Sequence, residues 1–329
     1  MSLDFDVFVR QQIALEGVKN DLLATFPEFS DEVVAIIIAI LLASGYKTFA
    51  EMPKKELNAV LSKINTQIRT KVNKFRTVTV SALKTIMSAD IFVTTSVMSR
   101  LTRSRVTLTG ASTNRRKLWA SLTNGIIPGL GETMPQAIMT YFRSVYEDLS
   151  RSIKGSFADN VTISEAIKRI TGTKANNWKD GIARKMFVNF GALTDTVIQT
   201  ISNTITAFFG KLFTKTYEWV SVIDSATTDV CRSRNGRIYE YGKGPMPPAH
   251  YRCRSRVRPV FNQANGPASF YEWLVGQPPA IQEFAVGRSS ARDLRAGRKG
   301  AADFTKFNST RRLTPKEYRN SVNLLLTSE

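Results

Sequence analysis

The residues best suited to chemistry are Cys231, His250 and Cys253, which are both cysteines and the one histidine of the chain. Thiolate and imidazole suit zinc, and the His-x-x-Cys spacing lets a single turn present two donors to one cation. A fourth ligand would come from Asp224, Asp229 or water. Two cysteines are too few for a disulfide scaffold, and in a reducing compartment they read as thiols or ligands rather than a bridge. Two other readings stay open. In the first, the cysteines are small buried hydrophobes and His250 hydrogen-bonds a hairpin. In the second, His250 is the base and Cys231 the nucleophile of a hydrolase. The Arg-rich surroundings suggest no substrate pocket, and the scattered carboxylates give no pair of metal-binding acids for a nuclease, so no catalysis is expected.

The elements that must hold these residues are short. Residues 217–223 and 237–241 are β-prone, and Asn235-Gly236 and residues 242–248 supply turns, which together read as a small β-containing module beginning near residue 215. Arg232, Arg234, Arg237, Arg252, Arg254, Arg256 and Arg258 crowd around it. Guanidinium groups suit bidentate contact with phosphate or carboxylate, and Arg254 is expected to pair with an acid such as Asp224. Trp219, Tyr239, Tyr241 and Tyr251 are expected in the core of the module rather than stacked on bases.

In order, the module has an aromatic strand (Tyr217-Glu218-Trp219) running to Asp224, then Thr228-x-x-Cys231, Asn235-Gly236, and Pro247-Pro248-x-His250-x-x-Cys253-Arg254. This order resembles the signature of the Mu F-like minor head (head morphogenesis) family of tailed bacteriophages. Tyr271-Glu272-Trp273-Leu274, Gly287 and Leu313-Thr314 follow the family's downstream pattern. The resemblance covers roughly residues 160–325, and residues 1–150 match nothing. It implies a protein that associates with the portal during assembly in the host cytoplasm, ends inside the virion head, and in some relatives touches packaged DNA and influences its ejection. The chain departs from the pattern at two places. Ser255 stands where many relatives have a second cysteine after Cys253, and no second cysteine closely follows Cys231, so a four-ligand Cys/His zinc site is incomplete.

Charge points to the same kind of partner independently. The formal net charge is +19, and residues 61–120 hold 12 Lys and Arg against a single acid, Asp90. Such a field favours a polyanion, and binding to a double-stranded DNA backbone needs no base reading. The candidate phosphate-binding residues are Lys63, Arg69, Lys71, Lys74, Arg76, Arg100, Arg103, Arg105, Arg115, Arg116 and Lys117. The first five lie opposite an apolar stripe of Leu57, Leu61, Ile64, Ile68, Val72 and Phe75, whose three- and four-residue steps mark one face of a helix. The stretch from Arg100 to Lys117 reads as an exposed turn between helices.

The fold expected is mainly α with a small α+β carboxyl-terminal module. Its parts are a helical region over residues 1–150 that contacts capsid, portal or sister copies, a helical lead-in over 151–215, and a Mu F-like module with a basic tail over 216–329. Residues 33–43 (VVAIIIAILLA), preceded by Ser30-Asp31-Glu32 as a cap, read as a buried helix. The run is short of the ~20 residues that span a bilayer. Residues 135–213 read as helical with breaks near Gly172 and Gly191, and residues 124–132 (NGIIPGLGE) as a hinge or packed loop that does not fit a P-loop. No signal peptide is apparent at the amino terminus, so folding in a cytoplasm is expected. The rivals to a head protein are a sequence-independent nucleic-acid-binding protein with no virion role, and a membrane-active DNA-ejection protein using residues 33–43.

Overall fold

Apolar stripes at helical spacing account for most of the architecture. A computed structural model describes residues 3–103, 106, 111–261, 269–305, 307 and 311–327. Its amino-terminal half consists of α1 (Leu3–Leu23), α2 (Phe26–Ala43), α3 (Lys54–Thr102) and α4 (Ala111–Asn124). A short antiparallel pair follows, β1 (Ile126–Ile127) and β2 (Glu132–Thr133). Next come α5 (Met134–Ala158), α6 (Ile163–Thr171) and α7 (Ile182–Gly210), then β3 (Thr216–Val220), α8 (Asp229–Arg234), β4 (Ile238–Glu240) and β5 (Arg256–Pro259). The chain ends in short helices: α9 (Phe270–Val275), α10 (Pro279–Val286), α11 (Arg288–Arg295), α12 (Pro315–Asn320) and α13 (Val322–Leu325). The protein is therefore mainly helical with little strand, as its sequence indicates.

The chain divides into two compact units, neither of them a continuous stretch of sequence. One comprises Met1–Asp21, Leu83–Met134 and Thr194–Glu329, and the other Leu22–Ala82 and Pro135–Leu193. The divisions fall inside helices, cutting α3 and α7 well within their length and α1 and α5 near one end. The change of texture near residue 215 lies within the first unit, because α7 packs with the strands that follow it.

The second unit is organised by aromatic rings. Phe26 and Phe29 of α2, Phe75 of α3, Tyr141 and Phe142 of α5 and Phe190 of α7 meet with centroids 4.3–6.5 Å apart. The full stripe from Leu57 to Phe75 is buried. The ring cluster also moves the start of α2. The helix begins a turn before Ser30, at Phe26, with Pro27 in its first turn, because burying Phe26 and Phe29 outweighs a polar cap and proline's fixed φ suits that position. The expected burial of residues 33–43 holds for one face only: Val33, Ile37, Ile40 and Leu41 are inside, while Leu42 is 62% exposed. Helix α7 runs through Gly191 without a break, since glycine lowers helix stability by only about 1 kcal/mol and packing overrides it. By length and composition α3 could cross a membrane, but half of its most apolar window is packed inside the fold.

In the first unit α1 is the innermost helix, with every residue from Phe5 to Leu15 buried. It is joined to the end of the chain. The Trp273 indole N–H donates to Asp6 at 3.1 Å, the Arg10 guanidinium to Gln277 at 2.8 and 3.0 Å, and the Leu313 amide to the Gly17 carbonyl at 3.0 Å. A Cβ on Gly17 would lie 2.8 Å from Leu313. The three-stranded antiparallel sheet has the order β4-β3-β5 and pairs Glu218 with Arg258 and Trp219 with Val257.

Phe75 packs against the rings of Phe26, Phe29, Phe142 and Phe190. Phe75→Ala is therefore expected to destabilise the second unit by about 3–5 kcal/mol, read as a lowered urea midpoint. A loss under about 1 kcal/mol would mean that the aromatic cluster does not hold the unit together.

Candidate metal centre

The sequence folds the three candidate ligands together from two places. Cys231 comes from the first turn of α8, where the Thr228 hydroxyl caps the helix by accepting from the Cys231 amide. His250 and Cys253 come from the irregular segment before β5, in a turn closed by the Cys253 amide donating to the His250 carbonyl at 3.2 Å. That segment has little secondary structure of its own, so its polar backbone groups need other partners. They find them on α7. Asn203 donates to the carbonyls of Ser255 (3.1 Å) and Pro247 (3.3 Å) and accepts from the Val257 amide (3.0 Å). Gln199 donates to the Ser255 carbonyl at 2.8 Å, and the Thr196 hydroxyl accepts from the Arg252 amide at 3.0 Å. From the other side the glycine-rich loop presses in: a Cβ on Gly129 would sit 2.5 Å from the His250 amide nitrogen. Residues 124–132 are thus a packed hairpin.

Cys231 Sγ lies 3.2 Å from His250 Nε2 and 3.6 Å from Cys253 Sγ, and all three donor atoms fall within 4.8 Å of one another. A tetrahedral ion with Zn–S near 2.3 Å and Zn–N near 2.05 Å would place two sulfurs about 3.8 Å apart and sulfur and nitrogen about 3.6 Å apart. The two distances from Cys231 Sγ are close to these, and the sulfur–sulfur distance is far from the ~2.05 Å of a disulfide. His250 Nδ1 is 2.7 Å from the Tyr251 carbonyl, so Nδ1 carries the proton and donates. In the neutral ring Nε2 is then the bare nitrogen and faces the sulfurs, with the outer hydrogen bond fixing the ligating tautomer. Cys231 donates its S–H to Cys253, which pushes the Cys231 thiol up and draws Cys253 below the ordinary range against the effect of burial. Backbone hydrogen bonds from Ala249 and Ser255 support the negative Cys253 sulfur. Among the described residues, Cys231, His250 and Cys253 form a group that can hold a metal ion.

Asp224 is not part of this group. Its carboxylate accepts two hydrogen bonds from Arg254, at 2.6 and 2.8 Å, and others from the Ala226 and Phe307 amides. Burial alone would raise its pKa, but Arg254 and these donors hold it below the ordinary carboxylate range. The arginine crowd around the module is divided in the same way. Arg256 and Arg258 are 1% exposed, Arg258 is ion-paired with Glu218 across β3 and β5, and neither can reach a phosphate. Trp219 is buried against Cys231 and Cys253, whereas Tyr251, expected in the core, is 53% exposed. Asn235-Gly236 does not make a tight hairpin. It ends α8 and leads into β4, with the Asn235 side chain accepting from the Ser221 amide.

The candidate phosphate-binding residues divide between the units. In the second, Lys63, Arg69 and Lys74 are exposed on α3. Lys71 is half-buried and paired with Glu32 at 2.8 Å, and half-buried Arg76 contacts Met139 Sδ. In the first, Arg100, Arg103, Arg116 and Lys117 are exposed. Arg100 still lies on α3, and Arg116 and Lys117 lie on α4, so the expected turn is shorter than the stretch from 100 to 117. Arg105 lies outside the described residues, as does the side chain of Arg115. Strand β5 is not legible in the sequence because its two arginines conceal a buried strand. Asn203 and Gln199 escape sequence reasoning too, and their only signal is the occurrence of amides within an otherwise apolar helix.

Comparisons with family models, with curated proteins and with solved structures find no match to this chain.

Gly129→Ala is expected to cost about 1–3 kcal/mol in urea denaturation, because the added carbon meets backbone. Gly155→Ala, whose added carbon meets nothing within 4 Å in α5, should be neutral or slightly stabilising. Equal effects would show that the loop does not press on the His250 segment. Asp224→Asn should cost about 3–5 kcal/mol at pH 7. The folded pKa of Asp224 lies below its ordinary 3.8, so its contribution is complete above that value and lost as pH falls through the depressed one. The gap between variant and wild type should therefore close only in strong acid; a gap that closes by pH 6 would assign it to another group.

Proposed function

We propose that this chain is an internal minor head protein of a tailed bacteriophage. Its carboxyl-terminal part is a Mu F-like module holding a zinc ion, and its exposed cations bind the backbone of packaged double-stranded DNA. The observation that carries this proposal is the convergence of the signature residues. The Trp219 strand, Thr228-x-x-Cys231, Asn235-Gly236 and His250-x-x-Cys253-Arg254 are separated in sequence but interlock around one point through direct contacts. A signature whose parts support each other's geometry is expected of a structural module.

In this role Cys231, His250 and Cys253 would hold the zinc, which ties α8 to the segment before β5 and so supplies folding free energy in a module with a small core. Arg254 and Asp224 close the same segment onto residue 307. The helices of residues 1–150 supply contacts to portal, capsid interior or sister copies. The net charge of +19 suits a protein confined with packaged DNA and placed to influence its ejection.

One observation favours a hydrolase instead, the 3.2 Å contact of Cys231 with His250. Against it, Cys231 is 3% exposed, so the pair lacks an accessible nucleophile.

Capture of portal protein by this chain across a salt series, beside DNA binding under the same conditions, tests the proposal. Neutralising Lys63, Arg69, Lys74, Arg100, Arg103, Arg116 and Lys117 should leave portal capture intact and flatten the salt dependence of DNA binding. The log–log slope should fall by up to about 0.9 for each phosphate that the variant no longer neutralises. DNA binding without portal or capsid association would leave a general nucleic-acid-binding protein. Hydrolytic turnover abolished by Cys231→Ala would establish the enzyme.

A further inference from the structure

Three protein ligands leave a tetrahedral cation one position short, and the fold shows what faces that position. No fourth Cys, His, Asp or Glu joins the group among the described residues. The nearby acid, Asp224, is held by Arg254 and two backbone amides. Cys231 and His250 instead line a small cavity of about 20 Å³ together with Ser221, Thr228, Ser255, Arg252 and Arg254. That volume is enough to hold a water-sized occupant, and the cavity is partly open to solvent.

The polar groups around the cavity are mostly donors. The Thr228 hydroxyl lies 2.9 Å from His250 Nε2. The Ser255 hydroxyl lies 2.8 Å from Ser221 Oγ, and both residues line the cavity. Arg252 and Arg254 complete the lining. Structural zinc sites are closed by four protein ligands, whereas three ligands and a small polar space are the arrangement of a centre with one exchangeable position.

We propose that Cys231, His250 and Cys253 form an open centre, in which the fourth coordination position of a bound divalent cation is taken by water or a small inorganic anion seated beside Thr228 and Ser255. This rests on the zinc reading above and goes beyond it: the ion is accessible to exchange as well as structural. The small polar cavity suits ligands such as hydroxide, chloride or the end of azide. Ser255 lines the cavity beside Cys231 and His250, so a thiol in its place would be at hand to complete the set.

The test uses the full-length protein loaded with cobalt(II), whose visible spectrum reports coordination. One equivalent per chain should bind, with thiolate-to-cobalt charge transfer, and azide should shift the ligand-field bands. Ser255→Cys should abolish the azide response and raise the charge-transfer intensity by about half, since three thiolates replace two. Ser255→Ala should retain both the wild-type spectrum and the azide shift. Failure of the wild-type protein to bind cobalt or zinc would overturn the zinc reading, and the open centre with it. Binding of one equivalent with a spectrum that ignores excess azide would overturn the open position alone. The azide titration of the wild-type protein decides this even if Ser255→Cys does not fold.

Discussion

The candidate centre depends on a polar surface buried inside a helix. The half of α7 in the first unit carries Val197, Ile198, Ile201 and Ile205 alongside Thr196, Gln199, Asn203 and Thr206, all 1% exposed or less. Buried amides are tolerated only when paired, since each unsatisfied group costs roughly 1–3 kcal/mol. Here the partners are the backbone groups of Pro247, Ser255 and Val257. The segment that presents His250 and Cys253 therefore does not make its own structure; α7 imposes it. Gln199 is held in turn by Gln12 and Lys19 of α1, which extends the network to the amino terminus of the chain.

The same economy governs the charges. A protein this basic has many arginines to place, and those nearest the centre are used internally. Arg254 is locked to Asp224, Arg258 to Glu218, and Arg256 is wholly buried beside α7 with a hydrogen bond to Thr206. Removing one partner of either ion pair leaves an uncompensated charge in a low-dielectric interior, whereas Arg256 lies there with its Nε and Nη1 making no hydrogen bond. Exposed cations remain on α3, on α4 and on the carboxyl-terminal helices, where a polyanion could meet them. Their binding would be sequence-independent and strongly dependent on salt.

Much of this was legible in the sequence, for local reasons. Positions 57, 61, 64, 68, 72 and 75 define a helix face without knowledge of what covers it. The pairing of Arg254 with an acid such as Asp224 follows from the cost of burying either alone. Cys231, His250 and Cys253 stood out because soft donors are scarce in this chain.

The sequence by itself determined the helical class, the main apolar faces, the basic character and the identity of the three soft donors that could hold a metal, since each rests on residue type and short-range spacing. Tertiary structure decided the rest. It removed Asp224 from the ligand set, buried Arg256 and Arg258, exposed Tyr251, and joined distant stretches into units that cut across α3 and α7. These outcomes depend on which groups win a limited number of buried partners. Arg254 reaches Asp224 before a metal can, and Asn203 claims the backbone that carries the ligands. Such competition is settled in three dimensions, between residues about 30 to 55 positions apart in the chain, and no local spacing records it.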